Sequence, residues 1–290
     1  MRNGWPSLTA LYVALARGVA TQEDELSRVC QDAVTATLLP RPLRSLLTAA
    51  RDPTAARVLR ALSFGMYDHI ALRTALIDRA LTQALTDGIE QVVLLGAGFD
   101  ARAHRLPALS TATVFEVDHP DTQALKQAGA ARLPRLSRQL HYVASDFERR
   151  SLKTTLGDAG YDPSRRSVWI WEGVTMYLPR AAVVDALDTV TVLCPAGSLL
   201  IATYVGPELL ASGGALGRLA HRAMRMLAEP IQFTTTAEEF AALLDAARFQ
   251  VLSDVAPKDA AAHYGIVSTR PTTLTPKERI VVAKKRGESP

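Results

Sequence analysis

The chain has 290 residues, 48% of them hydrophobic and 21% charged, which excludes an intrinsically disordered or fibrous protein. Its 33 Lys and Arg against 29 Asp and Glu give a net charge of only +4. Part of that excess lies in Lys284, Lys285 and Arg286, a pattern more typical of a solvated tail than of a nucleic-acid interface. We therefore expect no nucleic-acid partner.

No apolar run reaches the roughly 20 residues that a membrane-spanning helix needs, so we expect no membrane segment. Cys30 and Cys194 lie far apart, without CxxC or Cys/His spacing, and this predicts neither a disulfide framework nor a metal site. These features favour a reducing, cytoplasmic compartment. They leave the oligomeric state open.

The first 85 residues contain no convincing strand and are interpreted as an N-terminal helical cap, residues 1–85. Arg2 and the apolar residues 8–16 have the charge and length of a signal peptide. The same stretch also fits an amphipathic helix behind Ser7, a candidate N-cap. Its apolar residues at helical spacing are Leu8, Leu11, Tyr12 and Leu15. The helix is favoured, because the apolar period continues through Val19 and Leu26 into Val29.

From residue 86 onward, short apolar runs alternate with segments of helical period. The candidate strands are residues 91–95, 113–117, 141–144, 167–171, 198–203, 249–252 and 279–283. The candidate helices between and after them include residues 120–131, 180–193 and 236–247. This alternation predicts an α/β fold: a doubly wound, mostly parallel, seven-stranded Rossmann-like sheet over residues 86–290. A helical lid is predicted as an insertion at about residues 207–235.

A glycine turn follows the first of these strands. Residues 91–95 lead through Gly96, Ala97 and Gly98 into a segment that we interpret as the start of a helix. Glycines at this point let a ligand approach the backbone, and a helix start offers N–H groups without partners. A Gly-x-Gly turn alone is weak evidence, because a tight strand-to-helix turn without a ligand looks the same.

Asp118, which ends the second strand 20 residues after Gly98, makes the turn more informative. An acid at this position can accept hydrogen bonds from the ribose hydroxyls of an adenosine-containing ligand. Ala101 satisfies the third small position of the dinucleotide fingerprint, whereas Asp100 would repel a pyrophosphate. From the residues alone, a nicotinamide dinucleotide and S-adenosyl-L-methionine both stay open.

Three sequence blocks together resemble the leucine carboxyl methyltransferase family. They are residues 91–102 (QVVLLGAGFDAR), 115–120 (FEVDHP) and 171–179 (WEGVTMYLP). The resemblance covers about residues 62–283 and implies a Rossmann-like methyltransferase with S-adenosyl-L-methionine as cofactor. It implies that Arg73 pairs with the methionyl carboxylate, that Gly96 and Gly98 line the methionine moiety, and that Asp118 holds the ribose.

The resemblance assigns further residues near the third and fourth strands. Asp146 matches the acid that accepts from the adenine amine, and Phe147 stands where the family has leucine. Glu172 matches an acid beside the cofactor, and its place at the end of a strand supports this independently, because ligands in open α/β sheets bind at that edge. Glu172 and Tyr177 are our candidates for a catalytic role.

The acceptor that the resemblance favours is a small organic molecule, because the family's bacterial branch includes O-methyltransferases of natural-product pathways. Methylation of a carboxylate needs no base, whereas a hydroxyl acceptor would be helped by a histidine. Six histidines are available, and spacing singles out none of them: His69, His104, His119, His141, His221 and His263. The alternatives are an NAD(P)-dependent oxidoreductase and a catalytically silent nucleoside-binding protein.

Overall fold

The computed structural model describes residues 7–63, 65–145, 151–208, 230–266 and 277–287. Its strands are β1 (Gln91–Leu95), β2 (Thr113–Asp118), β3 (Gln139–Ala144), β4 (Ser167–Trp171), β5 (Leu199–Val205), β6 (Phe249–Val255) and β7 (Glu278–Lys285). Its helices are α1 (Leu8–Ala20), α2 (Thr35–Leu38), α3 (Arg41–Ala49), α4 (Pro53–Leu62), α5 (Met66–Thr86), α6 (Arg102–Arg105), α7 (Pro120–Ala130), α8 (Leu152–Asp158), α9 (Arg180–Leu193), α10 (Ala237–Ala246) and α11 (Pro257–Ala260).

The described strands form one seven-stranded sheet in the order β3-β2-β1-β4-β5-β7-β6. β1 to β5 pair in parallel, and β7 runs antiparallel between β5 and β6. The predicted doubly wound, mostly parallel sheet is confirmed. In the register of this sheet Glu278 opposes Val205, so β7 begins at the edge where β5 ends.

β1 is buried on both faces, as its unbroken apolar run predicts. Val93 and Leu95 pack into a core with Trp169 and with helices α8, α9 and α10. Val92 and Leu94 face the opposite side and pack with Ile77 of α5. Helices therefore cover both faces of the sheet, and the carboxyl ends of the parallel strands meet along one edge of it.

Helix α5 lies against the sheet with its carboxyl-terminal half. Ile77, Leu81 and Ala84 are buried in the same cluster as Val92 and Val114. Its amino-terminal half, including Ile70 and Leu72, packs instead against helices α1 to α3 in a separate cluster. The predicted boundary between cap and core at residues 85 and 86 falls at the end of this helix, and that division stays a prediction.

Helix α1 begins behind Ser7 as expected, and the Ser7 hydroxyl accepts a hydrogen bond from the Ala10 N–H at 3.2 Å. The predicted buried face was partly wrong. Leu11 and Leu15 are buried, but Leu8 is 51% exposed and Tyr12 is 37% exposed. The buried face also includes small residues, among them Gly18, where an added Cβ would lie 2.6 Å from Leu47 Cδ1 of helix α3.

The predicted apolar period of α1 was also too long, since α1 ends at Ala20 and Leu26 belongs to a separate 3₁₀ turn.

A second correction concerns the basic cluster at the end of the chain. Lys284 and Lys285 belong to β7, and Lys285 is 8% exposed. The Lys285 Nζ donates to the Ala247 carbonyl at 3.3 Å and lies 5.3 Å from the centre of the Phe249 ring. Hence this lysine is part of the fold rather than of a solvated tail.

None of the helices within the described residues is long and apolar enough to cross a membrane. The predicted lid at about residues 207–235 lies for the most part outside the described residues.

Candidate functional site

The glycine turn after β1 adopts a backbone that only glycine accepts readily. Gly96 has φ +68° and Gly98 has φ +48°. The N–H groups of Gly96 and Ala97 both donate to the Val117 carbonyl, at 2.9 and 3.0 Å, which fixes the turn against the end of β2. A Cβ added at Gly96 would lie 2.5 Å from Val174 Cγ2, so the turn is also closely packed against the segment after β4.

Asp118 faces this turn from the end of β2. One carboxylate oxygen accepts from the Gly98 N–H and the other accepts from the His119 N–H at 2.6 Å. Burial raises the pKa of Asp118, against the lowering effect of these two hydrogen bonds. A carboxylate has about four acceptor positions, so each oxygen retains capacity for a ligand hydroxyl.

Arg73 and Glu172 meet beside the turn. The Arg73 Nε donates to Glu172 Oε1 at 2.9 Å, and its Nη1 donates to Glu278 Oε2 at 2.9 Å. These are buried ion pairs, because the side chains of Arg73, Glu172 and Glu278 are 7%, 10% and 1% exposed. Burial would raise the pKa of Glu172, but the guanidinium groups of Arg102 and Arg73 outweigh it and hold the pKa below its ordinary value.

Arg102 joins Glu172 to the residues of the turn. Its Nη1 donates to Glu172 Oε2 at 2.9 Å and also to Asp100, and its Nε donates to Asp78 at 2.7 Å. Its Nη2 is buried and has no hydrogen-bond partner among the described residues. A buried guanidinium N–H without a partner costs free energy, so this donor lacks the compensation that the Nε and Nη1 donors of Arg102 have.

The ion pairs continue toward helix α1. Arg105 bonds to Asp78 at 2.6 Å and lies 3.6 Å from Asp32, which in turn lies 3.0 Å from Arg17. Arg17 also donates from its Nη2 to the Phe99 carbonyl, directly after the turn, at 2.6 Å. One continuous network of buried charges therefore connects the helical segments to the glycine turn.

The structure brings together most of the residues assigned from sequence. Arg73, Gly96, Gly98, Asp118 and Glu172 lie at the carboxyl edge of the sheet, within the turn or the network that adjoins it. Tyr177 is half-buried in a 3₁₀ turn, where its carbonyl accepts from Gln232 Nε2 at 2.7 Å. Asp146 and Phe147 lie outside the described residues. The individual roles stay predictions.

Sequence reasoning missed most of the charged residues of the network, namely Arg17, Asp32, Asp78, Arg102, Arg105 and Glu278. Arg102 lies inside the first of the three recognised blocks, and Glu278 is a charged residue at the start of an apolar strand. His69 received no special weight, although it lies four residues before Arg73. That spacing puts both side chains on one face of α5, and it is the signal that could have selected this histidine.

Comparison with known proteins identifies a family for this chain. The model of a family described as leucine carboxyl methyltransferase matches residues 10–191. A Mycobacterium avium protein, provisionally named an S-adenosyl-L-methionine-dependent methyltransferase, is 38% identical over 216 residues, or 69% of this chain and 67% of that protein. A Mycolicibacterium smegmatis protein with a similar name is 38% identical over 153 residues, or 51% of this chain and 50% of its own.

The chain thus spans about half to two thirds of the length of these relatives. Among solved structures, a provisionally assigned methyltransferase from Thermobifida fusca aligns with a TM-score of 0.57 at 17% identity. The alignment covers 93% of this chain and 98% of that one. At this identity the similarity establishes the fold.

Proposed function

Because the chain belongs to the leucine carboxyl methyltransferase family, we propose that it is an S-adenosyl-L-methionine-dependent O-methyltransferase. We propose a small organic acceptor, of the kind found in natural-product pathways, methylated on a carboxyl or hydroxyl group. The proposal rests on the family match and on the names of its relatives. The observation that carries it is the convergence of the glycine turn, Asp118 and the Arg73–Glu172 pair at one edge of the sheet.

The residues at this edge fit the proposed cofactor. Asp118 has acceptor capacity for two ribose hydroxyls, and Gly96 and Gly98, which have no side chains of their own, would let the methionine moiety approach the backbone of the turn. Glu172, held ionised between two guanidinium groups, is suited to accept hydrogen bonds from an ammonium. Arg73 uses Nε and Nη1 for carboxylates of the protein, and a Cβ added at Gly173 would lie 3.8 Å from its Nη2. We propose that Nη2 is the nitrogen of Arg73 that pairs with the ligand carboxylate.

S-adenosyl-L-methionine, when bound, supplies a methyl group on a positively charged sulfur. The protein's part is then to fix the direction of attack and to exclude water, since the transfer is an in-line displacement. The buried network around Arg102 suits this role, because each of its side chains is held by at least two ion pairs or hydrogen bonds. In this scheme Glu172 holds and orients the cofactor. Tyr177 remains a candidate for contact with the acceptor.

Calorimetry of the full chain tests the cofactor. We expect binding of S-adenosyl-L-methionine and of S-adenosylhomocysteine, and none of NADH. Binding of NADH alone would contradict the proposal and favour the oxidoreductase alternative. Binding of S-adenosyl-L-methionine without methyl transfer to any acceptor in a broad screen would favour the catalytically silent alternative.

The ribose role of Asp118 gives the first specific prediction. Replacing Asp118 with Asn or Ala removes the charge that would accept from two hydroxyls. Hydrogen bonds to a charged group contribute about 1.5–3 kcal/mol each, so the affinity for S-adenosylhomocysteine should fall at least about 10-fold. Calorimetry measures this change. Asp188→Ala, which removes an exposed carboxylate from helix α9, is the matched control and should leave the affinity unchanged.

A further inference from the structure

A cavity of about 540 Å³ lies next to the proposed cofactor residues but does not include the glycine turn. It is bounded by Gly206 after β5, by Glu278 at the start of β7, and by Gly65 and His69 at the start of α5. Gly206 and Glu278 lie at the same edge of the sheet as the glycine turn, because β1 and β5 run in the same direction and β7 opposes them. This position suits a second ligand beside the first.

Glu278 connects the cavity to the ion-pair network. It lines the cavity, accepts from Arg73 Nη1 at 2.9 Å, and lies 2.6 Å from His69 through its Oε2 and the histidine Nε2. Burial would raise the pKa of Glu278, but Arg73 and His69 outweigh it and lower the pKa to about 2. The carboxylate is therefore ionised at neutral pH and accepts hydrogen bonds from its neighbours.

The hydrogen bond to Glu278 selects one form of the His69 ring. An ionised carboxylate accepts only, so Nε2 carries the hydrogen and the lone pair of a neutral ring lies on Nδ1. Within the described part of the chain, the recorded hydrogen bond of this side chain is the one to Glu278. His69 itself lines the cavity. A carboxylate that orients a histidine beside a ligand cavity is the arrangement of a general base and its positioning residue.

The charges around the cavity argue against an anionic acceptor. Its carboxylates are Asp68, Glu208, Glu238, Asp259 and Glu278. Its basic side chains are Lys258, Lys277 and Arg279. Asp68 is paired with Arg60 at 2.5 Å, Arg279 with Asp254 at 2.8 Å, and Glu278 with Arg73. Among the remaining lining residues in the described part of the chain, three carboxylates (Glu208, Glu238 and Asp259) face two amines (Lys258 and Lys277), a balance that disfavours an entering carboxylate.

Resting on the methyltransferase function proposed above, we infer that the acceptor is a neutral hydroxyl compound, a phenol or an alcohol, and that His69 is its general base. The acceptor O–H gives its proton to Nδ1 of His69. The oxygen electron pair forms the new bond to the methyl carbon, while the bond from that carbon to sulfur breaks and leaves its electron pair on sulfur. The imidazolium then loses its proton to water through the cavity. Glu278 is the positioning residue.

The tautomer is tested first, on the ligand-free full chain. Nitrogen-15 spectra of the histidine rings, assigned with His69→Gln, should show that the singly protonated His69 ring carries its hydrogen on Nε2. Glu278→Gln, which keeps the shape but removes the charge, should shift His69 toward a mixture of tautomers. A ring with hydrogen on Nδ1, or one that stays doubly protonated, would overturn the role of a base.

The acceptor class is tested with methyl-labelled S-adenosyl-L-methionine and paired panels of phenols, alcohols and carboxylic acids. We expect transfer to hydroxyl compounds. His69→Ala should lower kcat by about 10²- to 10⁴-fold, and added imidazole should restore part of it. The affinity for S-adenosylhomocysteine should change less than about twofold, since His69 is outside the proposed cofactor site. His263→Ala, at an exposed histidine, is the matched control and should keep full kcat.

Transfer to carboxylic acids alone, or an unchanged kcat in His69→Ala, would overturn the inference while leaving the methyltransferase function intact. If the wild-type chain fails to bind S-adenosyl-L-methionine, the proposed function itself fails. The two failures are therefore distinguishable.

Discussion

At the scale of single residues, Gly96 explains how the glycine turn packs closely against the other residues of the site. Its φ of +68° places it in the left-handed region, and its hydrogen atom replaces a side chain that would collide with Val174. The turn is thereby pressed between the ends of β2 and β4. Both Asp118 and the segment containing Glu172 are brought to it by this close approach.

A substitution at Gly96 tests this packing. Gly96→Ala should lower the free energy of unfolding by at least about 1–2 kcal/mol from the left-handed backbone alone, with a further cost from the clash with Val174. Urea unfolding measures the difference. Gly157→Ala is the matched control, because a Cβ added there meets no atom within 4 Å, and it should be neutral or stabilising. Equal stabilities of the two variants would contradict the packing argument.

At the scale of elements, the helices before β1 contribute buried charges as well as apolar surface. Helix α1 places Arg17 against Asp32, with side chains 5% and 0% exposed, and Arg17 also donates to the Phe99 carbonyl in the segment that follows the glycine turn. A buried ion pair gives little net stability, yet the loss of one partner leaves a charge without compensation. The position of α1 over the turn therefore depends on both members of the pair.

Removing one member of the Arg17–Asp32 pair should therefore lower the free energy of unfolding more than replacing both members with apolar residues. Asp32→Ala leaves Arg17 and Arg105 facing an empty position and should destabilise the chain by about 3–5 kcal/mol. The double variant Arg17→Met, Asp32→Leu should recover part of this loss in thermal or urea unfolding. Asp24→Ala is the control, because the Asp24–Arg57 pair is 71% and 64% exposed and contributes at most about 1 kcal/mol. Similar costs for the two single variants would contradict the buried-pair argument.

At the scale of the whole molecule, the network joins α1, α5, the turn, β4 and β7 through alternating guanidinium and carboxylate groups. Asp78, Asp100, Glu172 and Glu278 all have lowered pKa values, because the guanidinium groups outweigh the cost of burial. Glu116 is the opposite case. It is fully buried against Lys126 at 2.5 Å, yet burial dominates and raises its pKa to about 7.

These opposite shifts predict how stability depends on pH. The pKa of Glu278 falls from an ordinary 4.5 to about 2, so its contribution is present above pH 4.5 and is lost as the pH falls toward 2. The pKa of Glu116 rises from 4.5 to about 7, so its ionisation destabilises the folded state as the pH rises through that interval. Urea unfolding should therefore show a maximum of stability near the lower end of that interval.

The variant Glu116→Gln separates the two effects. It should reduce the fall in the free energy of unfolding between pH 4.5 and 7. The loss of stability below pH 4.5 should stay unchanged. A stability that stays constant from pH 5 down to pH 2.5 would contradict the role assigned to the lowered carboxylates.

The sequence by itself determined the strands, the sheet, the glycine turn and the acid that follows β2. All of these depend on local pattern: apolar runs of strand length, glycines at a strand end, and a fixed interval to the next strand. The tertiary structure decided which charges meet. Glu278 is 205 residues from Arg73 and 209 from His69, and no local period relates positions so far apart.

The predictions from sequence that were wrong also concerned contacts between residues far apart in the chain. A helical period identified α1, but packing between helices left Leu8 and Tyr12 exposed and buried Gly18 against Leu47. Composition placed Lys285 in a charged tail, whereas its strand pairing buried it against Phe249. Six histidines were equivalent in the sequence, and only the fold placed His69 between a carboxylate and a cavity. Helices and strands can be predicted from the local sequence because their periods depend on residues that are close in the chain. The contacts of the site depend on packing between elements that are far apart in the chain, so only the tertiary structure shows them.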